Sequence, residues 1–394
     1  MKKACILFPY PMGDSFLSGG VSKLVVANIE AIKDDYEVSV VAPLDNAGFK
    51  VFMQEKYPDI EVHLVDFLPL ARFVDNKNPL LRAVGVVKRI FKSLATNKNV
   101  EAVIKDINPH VMHFHGEVTY PYLKYGMKIG AGTIFHTSCF RFSKPEFLRK
   151  LVVNNSLKNS SLIISPTQSI SELFGTDPKN VVVPNPIITV DGRQKKTGSP
   201  MEEEFLNYDG LKLLFVGRIC VVKQIHYMIQ AIAGLSEAER KKVKFFVIGK
   251  PNFDPDYVYF DELKKYISDN HIEDNVMFLG YKNNVDEYMQ KADVGVLISE
   301  SEAISMAGIE YLHNSLPIIG FDNPGINETI EDNVDGFLVP NGDVEGLKNA
   351  IREFFDTDTL STMKKAAYEQ CELNFSMEAF RKRLLKYYKQ IERK

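Results

Sequence analysis

The chain has 394 residues and a formal net charge of −3, with 45% of its residues hydrophobic and 25% charged. This is the composition of an ordinary globular protein of two or three domains, and no nucleic-acid partner is expected. No apolar run approaches the roughly 20 residues a membrane-spanning helix needs, and MKKACILFPY is too short for a secretory signal. Cys5, Cys139, Cys220 and Cys371 stand far apart, which suits free thiols in a reducing cytoplasm. Residues 1–190 carry +5 and residues 191–394 carry −8, so a basic first half faces any acidic partner, an anionic membrane surface among them.

ACILFPYP (4–11) reads as a first buried strand. Gly19-Gly20 follows, then a helix with Val21, Leu24, Val25, Asn28, Ile29 and Ile32 inward. Glycines before a helix N-terminus let a phosphate or sugar approach the backbone; a plain turn is the alternative. YEVSVVAP (36–43) and IEVHLVDF (60–67) are the next strands, with a helix around 47–57 between them. In residues 68–99, Leu80, Leu81, Val84, Val87, Ile90, Phe91 and Leu94 share one helical face flanked by Arg82, Lys88, Arg89 and Lys92. This segment is either a core-packed helix with a basic rim or a helix lying on an anionic membrane. HVMHFHGE (110–117) is a strand whose His113, His115 and Glu117 suggest a metal, but no carboxylate pair accompanies the histidines and no metal site is expected. GTIFHTS (132–138) puts His136 at the carboxyl end of a strand, and SLIISPTQSI (161–170) and VVVPNPI (181–187) close a first domain, 1–190.

Residues 188–210, with GRQKKTGSPMEEE, read as a polar linker. KLLFVGRI (212–219) opens a second α/β domain, 191–372, and is followed by Gly217-Arg218-x4-Lys223. Straight after a strand, Arg218 and Lys223 suit a diphosphate clamp: the guanidinium fork pairs phosphate oxygens and the ammonium adds a point charge. KFFVIGK (244–250), a helix over 256–270, and a strand–loop–helix in NVMFLGYKNNVDEYMQKAD (275–293) follow. VGVLIS (294–299) is a short buried strand, a helix with Met306, Ile309 and Leu312 at helical spacing starts near Ser305, and LPIIGF (316–321) is the next strand. Such strand–loop–helix–strand units bind ligands at the carboxyl ends of their strands. Ser301, Glu302 and Ser305 surround a helix start where free N–H groups attract an anion, and Glu310 lies inside the helix within reach of ribose hydroxyls. Glu302 as a helix cap and Glu310 as a solvated side chain is the plainer alternative. Helices over 350–355 and 360–371 lead to a last helix, 373–394.

Glu302-x7-Glu310 followed by LPIIGFDNPGINETI and NVDGFLVPNGD resembles the donor-site signature of retaining, metal-independent glycosyltransferases of the GT-B fold, family 4. SGGVSKLVVANI, the FHT around His136, GR…K at 217–223 and Gly280-Tyr281-Lys282 follow the family's order, and the resemblance covers nearly the whole chain. It implies two Rossmann-like domains facing a cleft, with the last helix crossing back to the first. It also implies that Glu310 holds the ribose, Glu302 contacts the donor sugar, and the amides of Ala303, Ile304, Ser305 and Met306 hold the phosphates. His136 would contact the sugar near the reacting carbon, and the segment at Tyr281 would read the base through backbone atoms. The chain departs from the family at Gln224 and Pro186, where glycines are usual, and at EAIS (302–305), where EGFG is common.

The function so implied is transfer of a hexosyl-type sugar from a nucleotide-sugar, UDP foremost, to a glycan or lipid-linked acceptor in cell-surface polysaccharide synthesis. Arg218, Lys223, the helix start and the amides of Gly19 and Gly20 would stabilise the leaving diphosphate, with no cofactor and no metal. A sugar-nucleotide epimerase or hydrolase, or a non-catalytic partner subunit, are the alternatives; retention of Arg218, Lys223 and Glu310 speaks against the subunit.

Overall fold

The structure is a computed structural model that describes residues 1–8, 20–66, 98–137, 146–188 and 200–393. Gly19 and the basic amphipathic segment at 68–97 lie outside the described residues. Two compact units are present: residues 1–188 with residues 377–394, and residues 189–376.

The first unit is built on a seven-stranded sheet of β1 (Lys2–Leu7), β2 (Tyr36–Pro43), β3 (Glu61–Val65), β4 (Val111–His115), β5 (Gly132–His136), β6 (Leu162–Ser165) and β7 (Asn180–Val182). The strand order is β3-β2-β1-β4-β5-β6-β7, with every pairing parallel. A parallel sheet covered on both faces needs apolar residues on both, and β1 supplies them by alternation: Ala4 and Ile6 enter one core, Cys5 and Leu7 the other. The first of these cores is closed by the helix Gly20–Ile32 and the helix Met377–Ile391. In the latter, Phe380, Leu384 and Tyr388 recur every four residues and are fully buried, each contributing about 1.5–3 kcal/mol. Arg381 fixes its approach, donating to the Ala31 carbonyl at 2.7 Å and to Asp35 Oδ2 at 2.6 Å.

The second unit holds six parallel strands, β8 (Leu211–Val216), β9 (Val243–Ile248), β10 (Val276–Gly280), β11 (Val294–Leu297), β12 (Ile318–Phe321) and β13 (Gly336–Val339), in the order β10-β9-β8-β11-β12-β13. Both units are therefore wound alike. The strand order turns back between β1 and β4 in one and between β8 and β11 in the other, the switch points where open α/β sheets bind ligands.

The strands foreseen from the sequence form with shifted ends. β13 lies inside NVDGFLVPNGD, where flanking turn residues leave only a four-residue apolar run to signal a strand. Gly336 is obligatory in it, because a Cβ there would stand 2.1 Å from the Ile318 carbonyl oxygen. The polar linker needs correcting. Glu203–Asn207 is a short helix whose Phe205 is fully buried, with ring centroids 4.7 Å from Phe246 and 5.0 Å from Tyr288. Glu202 accepts from Tyr288 Oη at 2.6 Å and pairs with Lys282, while Glu204 pairs with Lys244. The acidic run around Phe205 hid one apolar anchor. Among the described residues, no helix is long and apolar enough to cross a membrane.

Candidate active site

At the carboxyl edge of the second sheet the loops after β8, β9 and β10 are tied together. Gly217 N–H donates to the Ile248 carbonyl at 3.0 Å and Gly249 N–H to the Gly280 carbonyl at 2.8 Å. The approach requires glycine: Gly249 has φ +143°, and a Cβ there would lie 1.8 Å from the Gly217 oxygen. Arg218 leaves this junction with its guanidinium 5.5 Å from the Phe253 ring centre and Nε 3.8 Å from Asp256 Oδ2. Lys223 ends a tight turn, Val221–Lys223, and Gln224 then takes φ +52°, ψ +25° before the helix Ile225–Ala233. That left-handed conformation explains why glycine suits the position.

On the neighbouring strand, β11 runs into a loop that crosses to β8: the Glu300 N–H donates to the Val222 carbonyl at 2.8 Å. Glu302 sits in this loop. Its Oε1 takes the Lys223 ammonium in an ion pair and the Ser299 hydroxyl at 2.9 Å. The loop is braced from β12. Glu302 N–H donates to the Pro324 carbonyl at 3.1 Å, and Asn323 Nδ2 donates to the Ser299 carbonyl at 2.8 Å. Gly325, at φ +79°, passes so close that a Cβ would stand 2.0 Å from the Glu302 carbonyl oxygen.

Ser305 caps the helix Met306–His313, its hydroxyl accepting from Gly308 N–H at 3.1 Å. Glu302 is therefore not the cap, and the plainer reading of that residue falls. Ala303 and Ile304 occupy the bend before the cap, and Glu310 is half-buried in the helix. Tyr311 beside it is buried and turned inward, its hydroxyl accepting from Val216 N–H at 2.7 Å. Tyr281 follows β10 with 70% of its surface exposed, and the Lys250 ammonium lies 5.8 Å from its ring centre. The foreseen residues of this unit, Gly217, Arg218, Lys223, Tyr281, Glu302, Ser305, Met306 and Glu310, thus follow the carboxyl ends of β8, β10 and β11. The clamp differs in one respect: Lys223 is already paired with Glu302, and Arg218 leans on Phe253 and Asp256.

In the first unit, Gly20 opens its helix, and His136 is fully buried at the end of β5, opposite His115 of β4. His113, His115 and His136 form a stack, with centroids 4.4 to 5.2 Å apart and planes 14° to 31° from parallel. Burial holds all three imidazoles neutral, pushing His136 down to about 3. Their candidate ligand nitrogens lie within 4.8 Å of one another, a wider span than the roughly 3.3 Å between nitrogens bound at about 2.0–2.1 Å to one tetrahedral zinc. Two of the rings are joined instead by a hydrogen bond, His113 Nε2 to His136 Nδ1 at 3.1 Å. Glu117, the third residue of the sequence cluster, begins the turn Glu117–Tyr122.

Ser299, Asn323, Gly325 and Asp256 join the site only through the structure. The DNPG turn at 322–325 carried a signal for two of them. Ser299 and Asp256 carried none, because each acts on a residue distant along the chain.

Residues 200–370 match the family model described as "Glycosyl transferases group 1". Among curated relatives, the chain is 24% identical over 273 residues to the poly(ribitol-phosphate) alpha-N-acetylglucosaminyltransferase of Staphylococcus aureus, covering 66% of this chain and 51% of that one. It is 29% identical over 167 residues to the N-acetyl-alpha-D-glucosaminyl L-malate synthase of Bacillus anthracis, covering 42% of each. The chain thus spans about half or less of the curated relatives it matches. The fold is shared with solved glycosyltransferases. Anabaena HepE, solved with UDP, superposes with a TM-score of 0.73 at 17% identity, covering 98% of this chain and 100% of that one. TarM superposes at 0.68 and 14%, covering 98% and 99%.

Proposed function

We propose, for a chain whose residues 200–370 form a group 1 glycosyl transferase domain on a GT-B fold, that the protein transfers a hexosyl-type sugar from a nucleotide-sugar to a glycan or lipid-linked acceptor. UDP is the favoured nucleotide, and the sugar keeps its anomeric configuration. In this reaction the bond from the sugar C1 to the diphosphate oxygen breaks, an acceptor oxygen bonds to C1, and the acceptor proton leaves with the diphosphate. Negative charge develops on the leaving phosphate, so fixed positive groups beside it lower the barrier.

The observation that carries the reading is the Lys223–Glu302 pair held by Ser299 at the β8–β11 switch point, next to the Ser305-capped helix start. An incoming diphosphate competes with Glu302 for Lys223, which frees the carboxylate for sugar hydroxyls. Arg218 is the second cation of the set, and Glu310 holds the ribose. These groups and the amides at 303–306 do what a metal would otherwise do, and no metal is proposed. His136 is assigned to the donor sugar on the resemblance. Relatives named for poly(ribitol-phosphate), poly(glycerol-phosphate) and a diphosphoundecaprenol-linked sugar support such an acceptor. A peripheral place on the inner membrane face rests on the basic first half.

Calorimetric titration of UDP, GDP and ADP without metal tests this. One nucleotide should bind near micromolar strength, about −8 kcal/mol, and Glu310→Ala should weaken it strongly. A folded protein that binds none of the three would overturn the proposal.

A further inference from the structure

A hydrogen-bonded chain runs from the C-terminal helix to His136. The Tyr388 hydroxyl lies 2.8 Å from His113 Nδ1, and His113 Nε2 lies 3.1 Å from His136 Nδ1. All three side chains are fully buried. The far nitrogen, His136 Nε2, has no partner among the described residues. We propose that Tyr388, acting through His113, fixes His136 as the tautomer protonated on Nε2, so that His136 meets an oxygen-rich ligand as a hydrogen-bond donor.

The direction of the chain follows from which partner gives its proton more readily. Burial keeps each imidazole neutral, with one N–H apiece, and keeps the Tyr388 phenol protonated. Among the described residues no carboxylate bears on these groups; the neighbours that act on the two histidine sites are the other histidines, and those that act on Tyr388 are Tyr36 and Cys5. Tyr36 packs edge-on to Tyr388 at 5.3 Å but gives its own proton to Glu392 Oε2 at 2.6 Å. Among the described residues, the acceptor within reach of the Tyr388 proton is His113 Nδ1. If Tyr388 donates there, the His113 proton sits on Nε2 and is donated to His136 Nδ1, and the His136 proton sits on Nε2. Each arrangement makes two hydrogen bonds and leaves one proton unmatched, the His136 Nε2–H in the first and the Tyr388 O–H in the reverse. They differ in the Tyr388–His113 bond: a phenol O–H donates more strongly than a neutral imidazole N–H, and an imidazole nitrogen accepts more strongly than a phenol oxygen, so the first wins. His115 stacks on His113 at 4.4 Å with both its nitrogens unpartnered among the described residues, so it restrains the ring without entering the chain.

The consequence for the proposed transfer, on which the ligand part of this inference rests, is specific. A neutral His136 with a proton on Nε2 donates to a sugar or phosphate oxygen and is not a base. Tyr388 and His113 are positioning residues.

The test uses the full chain labelled with [15N]histidine, without ligand, read by long-range proton–nitrogen correlation with assignments from single His→Asn variants. Protonated Nε2 and bare Nδ1 are expected on both His113 and His136. A His136 proton on Nδ1 would overturn the inference whether or not the protein transfers sugar. Failure of the transfer reading alone would leave these spectra as stated. Tyr388→Phe keeps the ring and removes the proton. It should mix the two tautomers and lower kcat/KM for the donor about tenfold, with little change in donor KM. A single unchanged His136 tautomer in that variant would rule out Tyr388. The wild-type spectrum decides the tautomer by itself if the variant fails to fold.

Discussion

The Lys223 ammonium and the Glu302 carboxylate form an ion pair that joins the loop after β8 to the loop after β11, and the Ser299 hydroxyl shares the same carboxylate oxygen at 2.9 Å. Their side chains are 27% and 17% exposed, so water screens the pair only in part.

Lys223→Met removes a cation placed for the developing charge. Donor turnover should fall about 10²–10³-fold, the scale of losing one preorganised stabilising group. Stability should fall by about 1–3 kcal/mol, because Glu302 is left with one polar partner at this oxygen. Single-turnover kinetics and urea denaturation measure the two losses; wild-type turnover would remove Lys223 from the mechanism.

Gly325→Ala acts on the same loop through the backbone. The residue sits at φ +79°, and its Cβ would meet the Glu302 carbonyl oxygen at 2.0 Å. The left-handed strain alone costs about 1–2 kcal/mol, and the clash must also displace the Glu302 loop. We expect at least 2 kcal/mol of destabilisation together with weaker nucleotide binding, seen by urea melts and calorimetry. Loss of stability with unchanged affinity would show that this loop does not shape the nucleotide site.

Gln224→Gly should do the opposite. Gln224 adopts φ +52° just before the helix Ile225–Ala233. Glycine removes the left-handed strain but adds freedom to the unfolded chain. A net gain of about 0.5 kcal/mol is expected in the urea midpoint. A loss would mean that the Gln224 side chain contributes more than its backbone costs.

Acid should undo the first unit through its histidines. Their folded values are lowered by burial, to about 3 for His136, while an unfolded histidine titrates near its ordinary 6.5. Below pH 6.5 the unfolded chain therefore binds more protons, and this contribution to stability is lost as the pH falls from 6.5 towards 3. Asp335 works the other way: burial raises its carboxyl to about 6, so its protonation favours the fold as the pH drops below that. Urea midpoints at pH 7.5 and 4.5 should differ less in a His115→Asn, His136→Asn double variant than in the wild type. An equal difference would show that the imidazoles do not carry the acid sensitivity.

Much of this was legible in the sequence because it is local. Short β-branched runs bounded by turns marked the strands, and glycines and prolines marked the loops after them. Motif order named the residues that gather at one sheet edge, from Arg218 to Glu310. Local pattern also misled: the acidic run at 202–204 concealed the buried Phe205. What sequence spacing could not express is which distant groups meet. Only the tertiary structure pairs Lys223 with Glu302, sets Gly325 against that residue's carbonyl, and brings Tyr388 to His113. These relations depend on strand order and on helices returning to sheets, where a register or rotation of one residue changes every partner. Residue order fixes the chemistry available at each strand end. The packing of the parallel sheets decided which of those groups are neutral, paired or left with a proton to give.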